Sequence, residues 1–156
     1  MRSGRRLAID VGTVRIGIAA SDFHGILASG LETIQRKSAD DIQAISEIGK
    51  IIFEIEPIEI YVGLPIGMSG QSTKSTQDAV EFARKLIHSQ GVPVRFIDER
   101  LTTVSATSAL RASGRDSKSG RKIIDQIAAT VILEQALETE KSSGGFPGKT
   151  IEEIDG

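Results

Sequence analysis

The chain of 156 residues carries 19 Lys and Arg against 21 Asp and Glu, so its formal net charge is −2, and it contains no cysteine. This length is typical of one domain that buries about two-thirds of its unfolded surface. The missing cysteines exclude disulfides, cysteine-ligated zinc, iron–sulfur clusters and a thiol nucleophile. The two histidines, His24 and His88, lie far apart in the sequence, which leaves carboxylates as the candidate metal ligands.

The sequence predicts a cytoplasmic protein without a membrane partner. It has no run of about 18 apolar residues, the length that a membrane-spanning helix needs. The basic residues 1–7 are followed by an apolar stretch that Asp10 interrupts, which does not match a secretory signal peptide. Aromatic residues make up 4% of the chain, so base stacking is not expected to dominate nucleic-acid binding.

The first half of the chain predicts strands and then a helix. The segments 6–12, 15–22 and 26–34 are β-prone and are joined by short turns, which is typical of an antiparallel meander. Isoleucines from Ile42 to Ile55 then recur at helical spacing. The preceding pattern, Ser38-x-x-Asp41, predicts a capping box at the start of this helix.

Strands and helices alternate in the second half. We predict strands at 58–64 and 92–98, a loop at 113–120, and helices at 76–90, 103–112 and 121–138. Strands separated by helices pair in parallel through right-handed crossovers. The predicted fold class is therefore α/β, with a mixed five-stranded sheet flanked by helices: a three-strand antiparallel meander plus two parallel crossover strands.

We assign the folded domain to residues 1–140. Residues 141–156 are rich in Gly, Ser and Pro and then acidic. That composition predicts a disordered tail.

Asp10 is the first candidate site residue. It interrupts the apolar strand 6–12, and a strand covered on both faces is expected to be apolar throughout. A charge in that position is costly unless it is paired or bound to a metal. The alternative interpretation is a strand-end aspartate that caps the turn at Gly12 and Thr13.

Glu99 and Asp125 are two further candidates. Glu99 directly follows the strand 92–98, and ligands of open α/β sheets collect at the carboxyl ends of strands. Asp98 and Glu99 cannot both face one site if that strand continues regularly. Asp125 has apolar helical neighbours and so lies on or beside the buried stripe of helix 121–138. The alternatives are a solvated charge cluster for Glu99 and an exposed residue near the helix start for Asp125.

Carboxylates from two strands and one helix can converge on one point. Mg²⁺ binds through a few carboxylates plus substrate phosphate. Two divalent ions about 4 Å apart can activate a water and stabilise the leaving oxygen of a phosphodiester. The sequence therefore predicts Mg²⁺ or Mn²⁺ held by Asp10, Glu99 and Asp125.

Basic residues cluster just before Asp125. Between 111 and 122 there are five of them against one acid, Asp116. Such a segment can hold a phosphate backbone, and the alternative is a solvated loop. The residues that we predict to contact nucleic acid are Arg15, Arg100, Arg115, Lys118, Arg121 and Lys122.

Four segments in this order resemble the YqgF/RuvX family. They read IDVGTVRIGIA at 9–19, VGLP at 62–65, DERLTT at 98–103 and IDQIAA at 124–129. The resemblance covers residues 6 to 137 and implies an RNase H-like fold. It also implies a metal-dependent nuclease for structured nucleic acid, either processing the 5′ end of pre-16S rRNA or cleaving branched DNA at Holliday junctions. Carried over, the catalytic carboxylates of the family fall on Asp10, Glu99 and Asp125.

The chain departs from the family pattern at two places. The family often has Lys before the Arg of its first hairpin, where this chain has Val14, and the change removes one phosphate contact. The loop after Gly-Leu-Pro usually contains Asn and Asp, where this chain has Gly67 and Ser69.

Other functions remain open at the level of sequence. One is a nucleic-acid-binding regulator that cleaves nothing. Another is an actin-like ATPase or sugar kinase, because Asp10-Val11-Gly12-Thr13 also resembles the first phosphate loop of that superfamily. Those proteins close two such domains around a nucleotide, and this chain supplies one. Paired cuts in a symmetric junction would favour a homodimer.

Overall fold

The computed structural model describes residues 1–101 and 118–156. Its strands are β1 (Arg6–Val11), β2 (Arg15–Ser21), β3 (Ala28–Gln35), β4 (Glu59–Leu64) and β5 (Val94–Asp98). Its helices are α1 (Ile42–Ile55), α2 (Lys74–Gln90), α3 (Lys118–Ser143) and α4 (Ile151–Asp155), and a 3₁₀ turn at Glu99–Leu101 follows β5. The predicted helix 103–112 and residues 113–117 of the predicted loop lie outside the described residues.

The strands form one mixed sheet in the order β3-β2-β1-β4-β5. The β1–β2 and β2–β3 pairs are antiparallel, and the β1–β4 and β4–β5 pairs are parallel. This arrangement confirms the predicted α/β sheet. The carboxyl ends of β1, β4 and β5 consequently lie at one edge.

The two faces of the sheet carry cores of different size. The face under α1 and α2 holds large aliphatic and aromatic side chains, among them Ile9, Ile48 and Phe82. The face under α3 includes small residues such as Ala8 and Ala129. Small side chains let a helix approach a sheet closely, so α3 lies nearest the strands.

Two glycines extend this close approach. A Cβ on Gly17 of β2 would overlap the backbone carbonyl of Asp125, and one on Gly30 of β3 would stand 2.9 Å from Cβ of Gln126. The start of α3 therefore rests directly on β2 and β3, which fixes the height of Asp125 above the sheet.

Two helix starts differ from the sequence prediction. The predicted capping box between Ser38 and Asp41 is wrong: the carboxylate of Asp41 makes no cap and accepts hydrogen bonds from Arg36 and Lys85 instead. Helix α2 begins at Lys74, because Thr73 and Thr76 form a reciprocal capping box just before it. In addition, α3 begins three residues earlier than predicted and includes 118–120, assigned above to a loop.

The structure of residues 141–156 differs from the predicted disordered tail. Helix α3 continues to Ser143, and Lys149 exchanges two backbone hydrogen bonds of 2.7 and 3.0 Å with Phe96 of β5. Ile151 and Ile154 of α4 contact the core. Because β5 is an edge strand, its backbone groups accept a late segment that composition alone assigns to solvent. The domain boundary at residue 140 stays a prediction.

No helix within residues 1–101 and 118–156 is both long enough and apolar enough to cross a bilayer.

Candidate active site

The candidate site lies at the carboxyl end of β1, on the face covered by α3. Asp10 shares this face with Ala8, because alternate residues of a strand point the same way. Across the antiparallel pair its partner is Gly17, and on β4 a Cβ at Gly63 would stand 2.7 Å from Oε1 of Glu99. Glycines on the two neighbouring strands thus leave room for carboxyl groups around Asp10.

Glu99 directly follows β5 and shares the face of Ile97, which packs in the core under α3. Strand alternation stops at Asp98, and the 3₁₀ turn starts at Glu99. Asp98 is held elsewhere: it accepts hydrogen bonds of 2.9 Å from the backbone N–H and 2.6 Å from Nη2 of Arg100. Those bonds lower the pKa of Asp98. Asp98 is therefore bonded to Arg100, and of the two consecutive acids only Glu99 joins the site.

The carboxyl groups of Asp10 and Glu99 are hydrogen-bonded to each other. Burial, the charge of Asp10 and this hydrogen bond raise the pKa of Glu99 to about 8. Burial and the charge of Asp125 raise the pKa of Asp10, while the hydrogen bond with Glu99 acts in the opposite direction. Burial and mutual repulsion therefore favour the protonated form of this pair in the absence of a cation.

Asp125 sits close to this pair but is engaged by an arginine. Nε of Arg15 donates to Oδ2 of Asp125 at 2.7 Å, and the two side chains are 26% and 18% exposed. In the part of the chain that the structure describes, His, Cys, Asp and Glu side chains nowhere gather in groups of three or more that could hold a metal. The structure therefore brings Asp10 and Glu99 together and holds Asp125 beside them on Arg15.

The chemistry of these donors suits a hard divalent cation. All three side chains offer carboxylate oxygens, the ligands that Mg²⁺ and Mn²⁺ take. A bound cation would offset the burial and repulsion that raise the pKa of both Asp10 and Glu99. Asp125 could complete the ligand set by exchanging Arg15 for the metal.

The predicted phosphate-binding residues are only partly described. Arg15 lies on Asp125 and Arg100 lies on Asp98. Arg115 falls outside the described residues. Lys118, Arg121 and Lys122 belong to the first turns of α3, which lead directly to Asp125.

Arg36 supports the backbone next to the site, a role that the sequence did not predict. Its Nη1 donates to the carbonyl of Gly12 at 2.8 Å, and its backbone N–H donates to the carbonyl of Val14 at 2.9 Å. Arg36 thereby holds the β1–β2 turn that follows Asp10. No local sequence signal marks this role, because the turn and Arg36 are joined only through strand pairing.

Comparison with known proteins places the chain among close relatives. The family model described as "RuvX: Holliday junction resolvase" matches residues 4–139. A relative from Leifsonia xyli subsp. xyli, named "Putative pre-16S rRNA nuclease", is 51% identical over 152 residues, which cover 97% of each chain. A relative with the same name from Clavibacter michiganensis subsp. michiganensis is 50% identical over 97% of this chain and 93% of its own. Another from Streptomyces coelicolor is 46% identical over 99% of this chain and 92% of its own.

Solved structures give the fold. The chain is similar to Thermus thermophilus RuvC in complex with a Holliday junction substrate, with a TM-score of 0.58 and 15% identity, over 94% of this chain and 99% of the other. A second RuvC structure from the same organism gives a TM-score of 0.55 and 15% identity, over 92% and 98% of the two chains. The sheet and its helices therefore form an RNase H-like fold, as the sequence predicts.

Proposed function

The chain belongs to the RuvX Holliday junction resolvase family, and we propose that this nuclease is a divalent-metal-dependent endonuclease that cuts phosphodiester bonds in structured nucleic acid. The hydrogen-bonded contact between Asp10 and Glu99 carries the proposal, with the charge of Asp125 acting on Asp10. Such crowding of acids costs folding free energy, and a bound cation would offset it. We assign Asp10, Glu99 and Asp125 as catalytic and metal-binding residues, with Mg²⁺ or Mn²⁺ as the metal.

Each residue has a distinct part in the proposed reaction. Bound divalent metal supplies positive charge to the phosphate and lowers the pKa of water. Asp10 and Asp125 would hold the metal, while Glu99 would hold metal or position the attacking water. Arg15 would turn to a substrate phosphate once Asp125 no longer engages it. The basic start of α3 would bind the neighbouring backbone.

We propose the 5′ end of pre-16S rRNA as the substrate, on the names of the relatives that match nearly the whole chain. The site of action would then be the cytoplasm. A second candidate is a branched DNA junction, which the description of the family favours. Cleavage of a symmetric junction would call for two copies of the chain, because paired cuts mirror two-fold symmetry.

The test uses the pure protein with Mg²⁺ or Mn²⁺ and two labelled substrates. One substrate is a 16S precursor RNA that carries its 5′ leader, and the other is a four-way DNA junction. Asp10→Asn is the inactive variant, and Asp155→Asn, the same change at the far end of the chain, is the matched control.

Cleavage of RNA that Asp10→Asn abolishes and Asp155→Asn retains supports the rRNA nuclease. Cleavage of the junction alone supports the resolvase. Full activity in Asp10→Asn contradicts the assigned site. Binding of both substrates without cleavage identifies a nucleic-acid-binding regulator instead.

A further inference from the structure

A second positively charged surface lies on the other side of the β1–β2 turn, at the face covered by α1 and α2. A cavity of 590 Å³ opens there, with three cations in its lining, Arg36, Lys37 and Lys74. Hydroxyl groups line it as well, and Asp78 is the acid in its lining. None of these residues belongs to the carboxylate site.

The acids in and beneath this cavity are already neutralised. The guanidinium of Arg36 donates two hydrogen bonds to Asp78, of 2.6 and 3.0 Å, and two to Asp41, each of 3.0 Å. Nζ of Lys85 lies 3.2 Å from the same Asp41 carboxylate. The negative charge of Asp78 and Asp41 is therefore taken up within the protein.

Lys37 and Lys74 consequently face solvent with their charge available. Both are exposed, and within residues 1–101 and 118–156 neither one forms an ion pair. Surface lysines without a carboxylate partner contribute their full charge to an approaching anion. The cavity thus offers the positive charges of two lysines above acids whose charge is already paired.

The same turn joins this cavity to the carboxylate site. Thr13 lines the cavity and lies three residues after Asp10, so about 11 Å at most separates the two Cα atoms. Arg36 holds the turn through the carbonyls of Gly12 and Val14. A ligand that reaches both the cavity and the carboxylate site must carry negative charges spaced along a chain, as a nucleic-acid strand does.

We propose that Lys37 and Lys74 bind a backbone phosphate of the substrate strand after it crosses the β1–β2 turn. Asp10 would then act on the strand next to the phosphate that this cavity holds. This inference rests on the proposed function, because it assigns a further contact to the same substrate. It predicts that a substrate must extend past the turn to bind tightly.

The test measures nucleic-acid binding without cleavage, in the Asp10→Asn chain with chelator present. Fluorescence anisotropy with the labelled precursor RNA and the labelled four-way junction gives Kd over a series of salt concentrations. The Lys37→Ala/Lys74→Ala variant is expected to bind about 10-fold more weakly and to lose about 0.7–0.9 from the slope of log K against log salt, the contribution of one phosphate contact. The matched control replaces two exposed lysines elsewhere, Lys50→Ala/Lys141→Ala.

The outcomes separate the two proposals. A loss confined to the cavity variant, and restored by Lys37→Arg/Lys74→Arg, supports the inference. A cavity variant that binds like the control overturns it and leaves the proposed function intact. A parent chain that binds neither substrate overturns the proposed function and this inference with it.

Discussion

At the scale of single residues, Arg15 and Glu99 reduce the repulsion between crowded carboxyl groups in two different ways. Arg15 neutralises Asp125 through an ion pair of 2.7 Å. Glu99 lies buried beside Asp10, which raises its pKa to about 8 and favours its uncharged form. Both arrangements are what crowded carboxyl groups adopt without a cation, so both are expected to change when metal binds.

Replacing Arg15 tests the first arrangement. Arg15→Gln removes the group that competes with metal for Asp125, so Mg²⁺ and Mn²⁺ are expected to bind about 2- to 5-fold more tightly, the effect of an ion pair of up to about 1 kcal/mol. Isothermal titration of the metal-free protein measures this. Arg84→Gln, which breaks the distant pair with Asp155, serves as the control. Unchanged or weaker metal binding in Arg15→Gln would contradict competition for Asp125.

Glu99 gives a pH prediction with a definite sign. Its pKa rises from 4.5 unfolded to about 8 folded, so between these values the native state binds more protons and its stability falls as pH rises. Glu99→Gln removes this titration. With chelator present, the Tm of the variant is therefore expected to exceed that of the unmodified chain by more at about pH 8.5 than at about pH 5. Melting curves that run parallel at the two pH values would show that Glu99 is not buried against Asp10.

At the scale of elements, the close approach of α3 to β2 places Asp125. A methyl group at Gly17 would overlap the backbone of Asp125, which cannot turn aside, whereas at Gly30 it would meet the side chain of Gln126. The overlap at Gly17 is the deeper of the two, because at Gly30 the nearest atom, Cβ of Gln126, would stand 2.9 Å away. The sheet therefore sets the distance between Asp125 and Asp10 through the absence of one Cβ.

Gly17→Ala is expected to destabilise the chain by about 1–3 kcal/mol, the usual cost of overpacking. It is also expected to reduce nuclease activity at a temperature where the variant is still folded, because α3 moves away from Asp10. Thermal melts and cleavage rates measure the two effects, with Gly30→Ala as the matched control. Equal rates in the two variants would show that the height of α3 does not position Asp125.

At the scale of the whole molecule, long-range contacts hold both ends of α3 and one edge of the sheet. The start of α3 is tied to β2 through Arg15, and its end is tied to β1 through the buried pair of Arg6 and Glu140, whose Nη2 and Oε2 are 2.9 Å apart. Lys149 covers the edge of β5 through its two backbone hydrogen bonds with Phe96. These contacts join segments that are distant in the chain.

Deleting residues 144–156 tests the role of the last segment. The deletion removes two backbone hydrogen bonds worth about 1 kcal/mol each and uncovers an edge strand. We expect a Tm lower by about 5 °C in a chain of this size and more aggregation on heating. Scanning calorimetry and light scattering measure both. A deletion variant that melts and scatters like the full chain would mean that the segment is dispensable for stability.

The sequence alone determined the order of the five strands and of helices α1, α2 and α3, the α/β class and the family. Hydrophobic period and motif spacing are local properties, so strands such as 58–64 could be located within a residue or two. The same reasoning nominated Asp10, Glu99 and Asp125 as site residues, and that assignment stays a prediction. Helix starts were less accurate, because caps such as Thr73 with Thr76 compete with equally plausible local patterns.

Only the tertiary structure decided which side chains meet. The packing of Ile97 under α3 puts Glu99 on the face of Asp10 and leaves Asp98 on Arg100, a choice that the alternating pattern of the sequence cannot make by itself. The ion pair of Arg15 with Asp125 joins residues far apart in the chain. The backbone hydrogen bonds between Lys149 and Phe96 of β5 do the same. The physical reason is the same in each case: a contact across the fold depends on where whole elements pack, and no local pattern of residues encodes it.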